Sequence, residues 1–112
     1  MSPKTKITTE MLDDRNRYLM VISNLTDVPS DAILGKSRLT DIVTARHLLM
    51  WALTFLCGYS TTAVGIMLHR DHASVVYGRH RIEDGWRDFD KRIPSIIHIL
   101  KEYHKQSKEQ CS

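Results

Sequence analysis

The sequence has little cysteine: two residues in 112, Cys57 in an apolar stretch and Cys111 near the end, which form neither a CxxC pair nor a disulfide framework. Cys57 reads as a small buried hydrophobe and Cys111 as a tail thiol. Long apolar runs are also missing, and none is long enough to span a bilayer. The segment from Met1 to Lys6 has neither the apolar core nor the small-residue cleavage site of a secretory leader. A soluble, cytoplasmic protein with no membrane partner is expected. A phosphate-cradling loop is absent as well. Gly35-Lys36-Ser37 matches the end of one, but the pattern needs glycine at position 30, where Ser30 stands, so no nucleotide or other cofactor is expected. The length fits one domain with one modest core.

Charge is mildly basic, +3 overall with a pI near 9.0, and its distribution says more than its sum. Residues 1–35 and 82–112 are close to neutral. Between them lie Lys36, Arg38, Arg46, Arg70, Arg79 and Arg81 against only Asp41 and Asp71, with four of the six histidines. A phosphate backbone would be met in this middle region, although a solvated basic face has the same composition.

Apolar residues recur at intervals of three and four and β-branched runs are short, which predicts an all-α bundle of about five to six helices. Thr8 or Thr9 caps a first helix with the stripe Met11, Tyr18, Ile22 and Leu25, ending near Asn24. Ser30 caps a single turn over 31–34, closed by Gly35, and 36–38 form a basic connector. A long helix over about 39–57 carries Ile42, Ala45, Leu49, Leu53 and Leu56 on one face, with Gly58 past its end. Ser60 or Thr61 caps a short helix to Leu68 with Ala63, Val64 and Met67 inward, and Gly65 admits a close neighbour. About three residues later a helix starts at Asp71 or His72 with Val75, Ile82 and Trp86 facing the core. That is the layout of a helix-turn-helix. After a break at 88–90, a last helix carries Ile93, Ile96, Ile97, Leu100 and Tyr103, and Pro94 is tolerated in its first turn. The chain thus divides into an arm over 1–6, a domain over 7–105 and a polar tail over 106–112 that frays.

Chemistry concentrates at the start of the helix after the turn. Its outer face holds Ala73, Ser74, Tyr77 and Arg81. His72 and Ser74 can donate or accept at base edges, Asp71 can accept from a cytosine amino group, and Ala73 offers a methyl to thymine. Free backbone N–H groups of a helix N-terminus can also hold a phosphate, although a short polar helix start is commonly just a cap. Enzymatic readings find less support. His69 and His72 are spaced H-x-x-H, and His80, His98 and Cys57 could join them, but no second pair has metal-ligand spacing, so no metal is expected. Asp13-Asp14 and Glu83-Asp84 point to different sides of their helices. Neither a Ser/His/Asp nor a Cys/His arrangement has supporting context.

The run from Val64 to Ile82, with Leu68-His69-Arg70-Asp71-His72-Ala73-Ser74-Val75 at its centre, resembles the signature of the C-terminal DNA-binding domain of the bacterial replication initiator DnaA. That pattern has Ile-Gly, then Arg-Asp-His-Thr-Thr-Val and a helix closing on basic-basic-Ile. Lys36-Ser37-Arg38, followed eight residues later by Arg46, is similar to the family's basic loop and long-helix start. The resemblance extends over roughly residues 7–103.

It implies a double-stranded DNA reader of the DnaA-box type, built on a fold also akin to the Trp repressor. The helix at Asp71 would enter the major groove and the basic loop the minor groove. Base contacts would fall at Arg38, Asp71, His72, Ala73 and Ser74. Phosphate contacts would fall at Lys36, Arg46, His47, Ser60, Thr61, Thr62, Arg70, Tyr77 and Arg81. The sequence departs from the family at Ala73, which replaces a base-reading threonine, and at His69, which stands where many members have two glycines. No ATPase domain is expected. The expected role is a stand-alone, non-enzymatic reader in replication control or transcription regulation, of bacterial or phage origin and nucleoid-associated. An alternative is an interaction module on the same fold that binds a replication or transcription protein.

Overall fold

Six α-helices follow one another among the described residues, and several begin or end on a device visible in the sequence. The structure, a computed structural model, describes residues 6–89 and 91–111, with the side chains of 85–89 and 108–111 outside the description. Helix α1 spans Thr9–Thr26, α2 Ser30–Leu34, α3 Thr40–Trp51, α4 Thr61–Leu68, α5 His72–Phe89 and α6 Ile93–Cys111. No strand occurs among the described residues. None of their helices is long and apolar enough to cross a membrane.

Thr8 is the cap of α1: its side chain accepts the Met11 backbone N–H at 3.2 Å. The helix runs two residues past the expected stop at Asn24. It closes where Asp27 turns left-handed, at φ 59°, a conformation Asp tolerates better than most residues. Ser30 is not the cap of α2. It is the first helical residue, Pro29 sits at the cap with no side-chain bond, and the proline ring's fixed φ of −59° starts the turn instead. The stretch after Lys105, expected to fray, continues as helix to Cys111. The inward face expected for Trp86 lies outside the described side chains.

Helix α3 is the axis of the domain. One apolar face was expected, yet every residue from Thr44 to Thr54 is buried, polar Thr44, Arg46 and His47 included, because α1 and α2 cover one side and α5 another. The helix widens into a π-helical turn over Ala52–Leu56, with Cys57 N–H donating to Ala52 O at 3.1 Å. Thr54 Oγ1 donates to Met50 O at 2.8 Å, so a side chain competes for a carbonyl of the regular ladder at this point. Gly58, at φ +76°, then ends the helix with a left-handed backbone that glycine adopts without strain.

The core joins Tyr18, Leu19 and Ile22 of α1, Leu48, Leu49 and Leu53 along α3, Val64 and Met67 of α4, Val75 and Ile82 of α5, and Ile93, Ile96 and Leu100 of α6. Polar ties fix the helices around it. Arg15 Nη1 donates to Met67 O at 2.9 Å, satisfying a carbonyl at the end of α4 from α1. Tyr18 Oη lies 2.6 Å from His104 Nδ1, and Tyr59 Oη donates to the Asp14 carboxylate. Burial, followed by the Asp14 hydrogen bond, raises the Tyr59 phenol above its ordinary range. The Cα radius of gyration is 13.5 Å, close to the about 13 Å of a compact domain of this length.

Candidate nucleic-acid interface

The unit α4–turn–α5 is built from two backbone devices. At the end of α4, Arg70 N–H donates to Gly65 O at 2.8 Å and His69 N–H to Ile66 O at 3.3 Å, the paired bonds of a Schellman stop. The left-handed position of that motif, at φ 56°, is taken by His69 where glycine is usual. Gly65 has the opposite need. A Cβ there would lie 2.6 Å from Arg70 O, so the missing side chain lets the turn fold back on its own helix rather than admitting a separate one.

Helix α5 starts at His72 because Asp71 caps it. Asp71 Oδ1 accepts the Ser74 backbone N–H at 2.9 Å. Hydrogen bonds from Ser74, its side chain first and its backbone second, hold the Asp71 carboxyl below its ordinary range. Asp71, His72, Ala73 and Ser74 are all exposed, whereas Val75 and Ile82 of the same helix are buried. One helical turn onward on this outer face, Tyr77 is 57% exposed, Arg81 packs over its ring at 5.8 Å, and Arg81 Nη1 lies 3.5 Å from its hydroxyl.

Two arginines expected at phosphates turn inward instead. Arg46 is only 8% exposed. Its Nε donates to Ile33 O at 2.8 Å, Nη1 to Ser37 O at 3.1 Å, and Nη2 to Gly35 O at 2.9 Å and Ala32 O at 3.4 Å. A guanidinium carries five donors in a fixed fork, and here the fork closes the carbonyl end of α2 and the connector after it. Arg46 thus buttresses the connector from within the domain, most of its donors meeting backbone carbonyls. Arg70, half-buried, donates from Nη2 to the same Gly35 carbonyl. Burial and the neighbouring Arg70 charge both lower the Arg46 pKa. Among the described ion pairs, no carboxylate partners either guanidinium.

His47 is buried too, in edge-to-face contact with Tyr77 at 5.8 Å. Burial, and then the charges of Arg81 and Arg46, lower its pKa to about 4, so the ring is neutral at physiological pH. Beside it a cleft of about 360 Å³ opens between α3 and the first turns of α5, lined by Arg46, His47, Met50, Arg70, Asp71, Ala73, Ser74 and Tyr77. A larger groove of about 750 Å³ lies between α1 and α6 and shares no residue with this face.

The remaining expected residues sort simply. Lys36 and Arg38 are exposed on the connector after α2. At the start of α4, Ser60 Oγ accepts the Ala63 N–H at 3.1 Å as a cap, Thr61 is half-buried and Thr62 exposed. His69 and His72 are both exposed, and no group of three His, Cys, Asp or Glu among the described residues is placed to hold a metal ion. Sequence reasoning missed Gly78, whose absent Cβ would fall 2.6 Å from Met50 Sδ and 2.7 Å from His47 Cδ2. Its one signal was a glycine in the middle of an amphipathic helix.

A capped helix with a polar, exposed first turn, set after a tight turn on a shorter supporting helix and beside uncompensated positive charge, defines a helix-turn-helix DNA-binding domain. The model of the bacterial DnaA protein helix-turn-helix matches residues 18–82, more than half of the chain, and the chain belongs to that family. It is also 32% identical over 82 residues to the chromosomal replication initiator protein DnaA of Mycoplasma capricolum subsp. capricolum. That match covers 72% of this chain but 18% of the relative, so the chain spans about a fifth of that protein's length. No solved structure matches it.

Proposed function

We propose that this chain reads a DnaA-box-like site in duplex DNA and serves in replication control or transcription regulation without an ATPase activity of its own. The first turn of α5 lies in the major groove, where Asp71, His72, Ala73 and Ser74 meet base edges, and Arg38 reaches the adjacent minor groove. A carboxylate has two oxygens, so Asp71 can cap α5 and still accept from a base amino group. Lys36, Ser60, Thr61, Thr62, Tyr77 and Arg81 meet phosphates on either side. Arg70 and His47 border the cleft beside α5, where a phosphate is drawn by the field of Arg46 and Arg70.

The observation that carries this reading is the exposed polar turn from Asp71 to Ser74, flanked by two guanidinium groups that no described carboxylate neutralises. A surface built for protein contact would place its anchors in an apolar centre, with charge at the rim. Ala73 offers only a methyl where its relatives' pattern has a hydroxyl, so the preferred site differs from the usual box at the base pair facing it. Selection of bound duplexes from a random pool tests the proposal. The expected outcome is one enriched asymmetric motif, whose affinity falls with salt by a log–log slope on the order of −0.9 per phosphate contact. No enrichment together with salt-independent affinity overturns it.

A further inference from the structure

Resting on that reading, we propose that Arg46 and Arg70 are positioning residues which, by sharing the Gly35 carbonyl, lock the connector bearing Arg38 to the start of α5 and so set sequence specificity without reading a base.

The two DNA-facing segments are far apart in the chain. Gly35 and Arg70 are 35 residues distant, yet the carbonyl of one accepts from the guanidinium of the other, immediately before the capping Asp71. Arg46 reaches the same carbonyl from the buried axis of the domain, and holds Ile33 O and Ser37 O as well. The connector itself has little local structure to hold it: within 36–39, Leu39 N–H donates to Ser37 Oγ at 3.2 Å, and Leu39 is 69% exposed. Its conformation is therefore imposed by the two arginines. Lysine cannot substitute for the fork at Arg46, because a single ammonium does not reach four carbonyls along diverging directions.

Specificity follows from geometry. A protein that reads the major groove with one segment and the minor groove with another gains from both only when their separation matches the DNA. A loose connector keeps the positive charge that attracts any duplex but must be ordered on binding, which weakens the matched site selectively.

A double-mutant cycle tests this, using the selected duplex and a scrambled duplex of equal length. Arg70→Ala is expected to lower the selected-to-scrambled affinity ratio about tenfold, the effect of losing about 1.4 kcal/mol of discrimination. In an Arg38→Ala background the same substitution should change the ratio less than about twofold, since the residue it positions is gone. Equal loss on both duplexes, with a salt slope shallower by about 0.9 and additivity with Arg38→Ala, identifies a plain phosphate contact and overturns the proposal.

Backbone ¹⁵N relaxation of the DNA-free protein gives a second readout. Arg70→Ala and Arg46→Lys should both mobilise the amides of 36–38 while the helices keep wild-type order, and unchanged amides overturn the clamp. Absence of any duplex binding by the wild type would overturn the DNA reading and the specificity claim together, whereas failure of the clamp alone leaves DNA binding intact.

Discussion

Gly78 of α5 and His47 of α3 meet where no side chain fits between them: a Cβ on Gly78 would lie 2.7 Å from His47 Cδ2 and 2.6 Å from the buried Met50 Sδ. This contact sets how closely the candidate reading helix approaches the axis of the domain. Gly78→Ala gains about 1 kcal/mol of helix propensity but overpacks a filled interface, for which about 1–3 kcal/mol is usual. A net loss of about 1 kcal/mol in urea unfolding is expected, with a shifted Tyr77 environment. Stabilisation would show that the helices slide apart without cost.

The same His47 makes stability depend on pH. Its folded pKa is about 4, against about 6.5 for an unperturbed imidazole. Between these values the unfolded chain holds a proton that the folded chain does not, so this contribution is complete above about pH 6.5 and is lost as pH falls towards 4. The loss amounts to about 3 kcal/mol over the whole window. Denaturation midpoints measured from pH 7 to 4.5 should fall for the wild type and much less for His47→Gln. Parallel curves for the two proteins would count against a neutral buried His47.

His69 holds the left-handed position of the α4 stop at φ 56°, where a side chain carries about 1–2 kcal/mol of strain. His69→Gly removes that strain and increases the entropy of the unfolded chain, with a net gain of about 0.5–1 kcal/mol expected in thermal unfolding. His69→Val, with a β-branched side chain at the same φ, should lose stability.

Arg38→Ala and His72→Ala should each lower the preference for the selected duplex over a scrambled one by roughly 1–3 kcal/mol. Lys36→Ala should weaken both complexes alike. Competition binding at fixed salt separates these outcomes, and equal behaviour of all three variants would sink the assignment of base-reading residues.

The helices were legible because their signals are local. Thr8, Gly58, Ser60 and Asp71 each act within three residues of where they stand, and the stripes Tyr18–Ile22 and Val75–Ile82 repeat at helical spacing. The helix-turn-helix was legible through the run around Arg70 to Val75, because its turn and cap chemistry are written in consecutive residues. What spacing could not show are the partners of Arg46: four carbonyls nine to fourteen residues away, main-chain atoms present in every sequence. An arginine in a basic region reads as a phosphate ligand until most of its donors are seen to meet carbonyls. The burial of α3 on all sides was hidden for a related reason. Thr44, Arg46 and His47 interrupt its apolar stripe, and only tertiary hydrogen bonds and desolvation make such residues compatible with a core.

The fork of Arg46 grips backbone oxygens and no side chain of the connector. The connector's shape, apart from the Ser37 hydroxyl that holds Leu39 N–H, is thus insulated from its sequence. Lys36 and Arg38 can be exchanged during evolution without disturbing the path of the chain, so a lineage could explore new minor-groove preferences one substitution at a time while the fold keeps its stability.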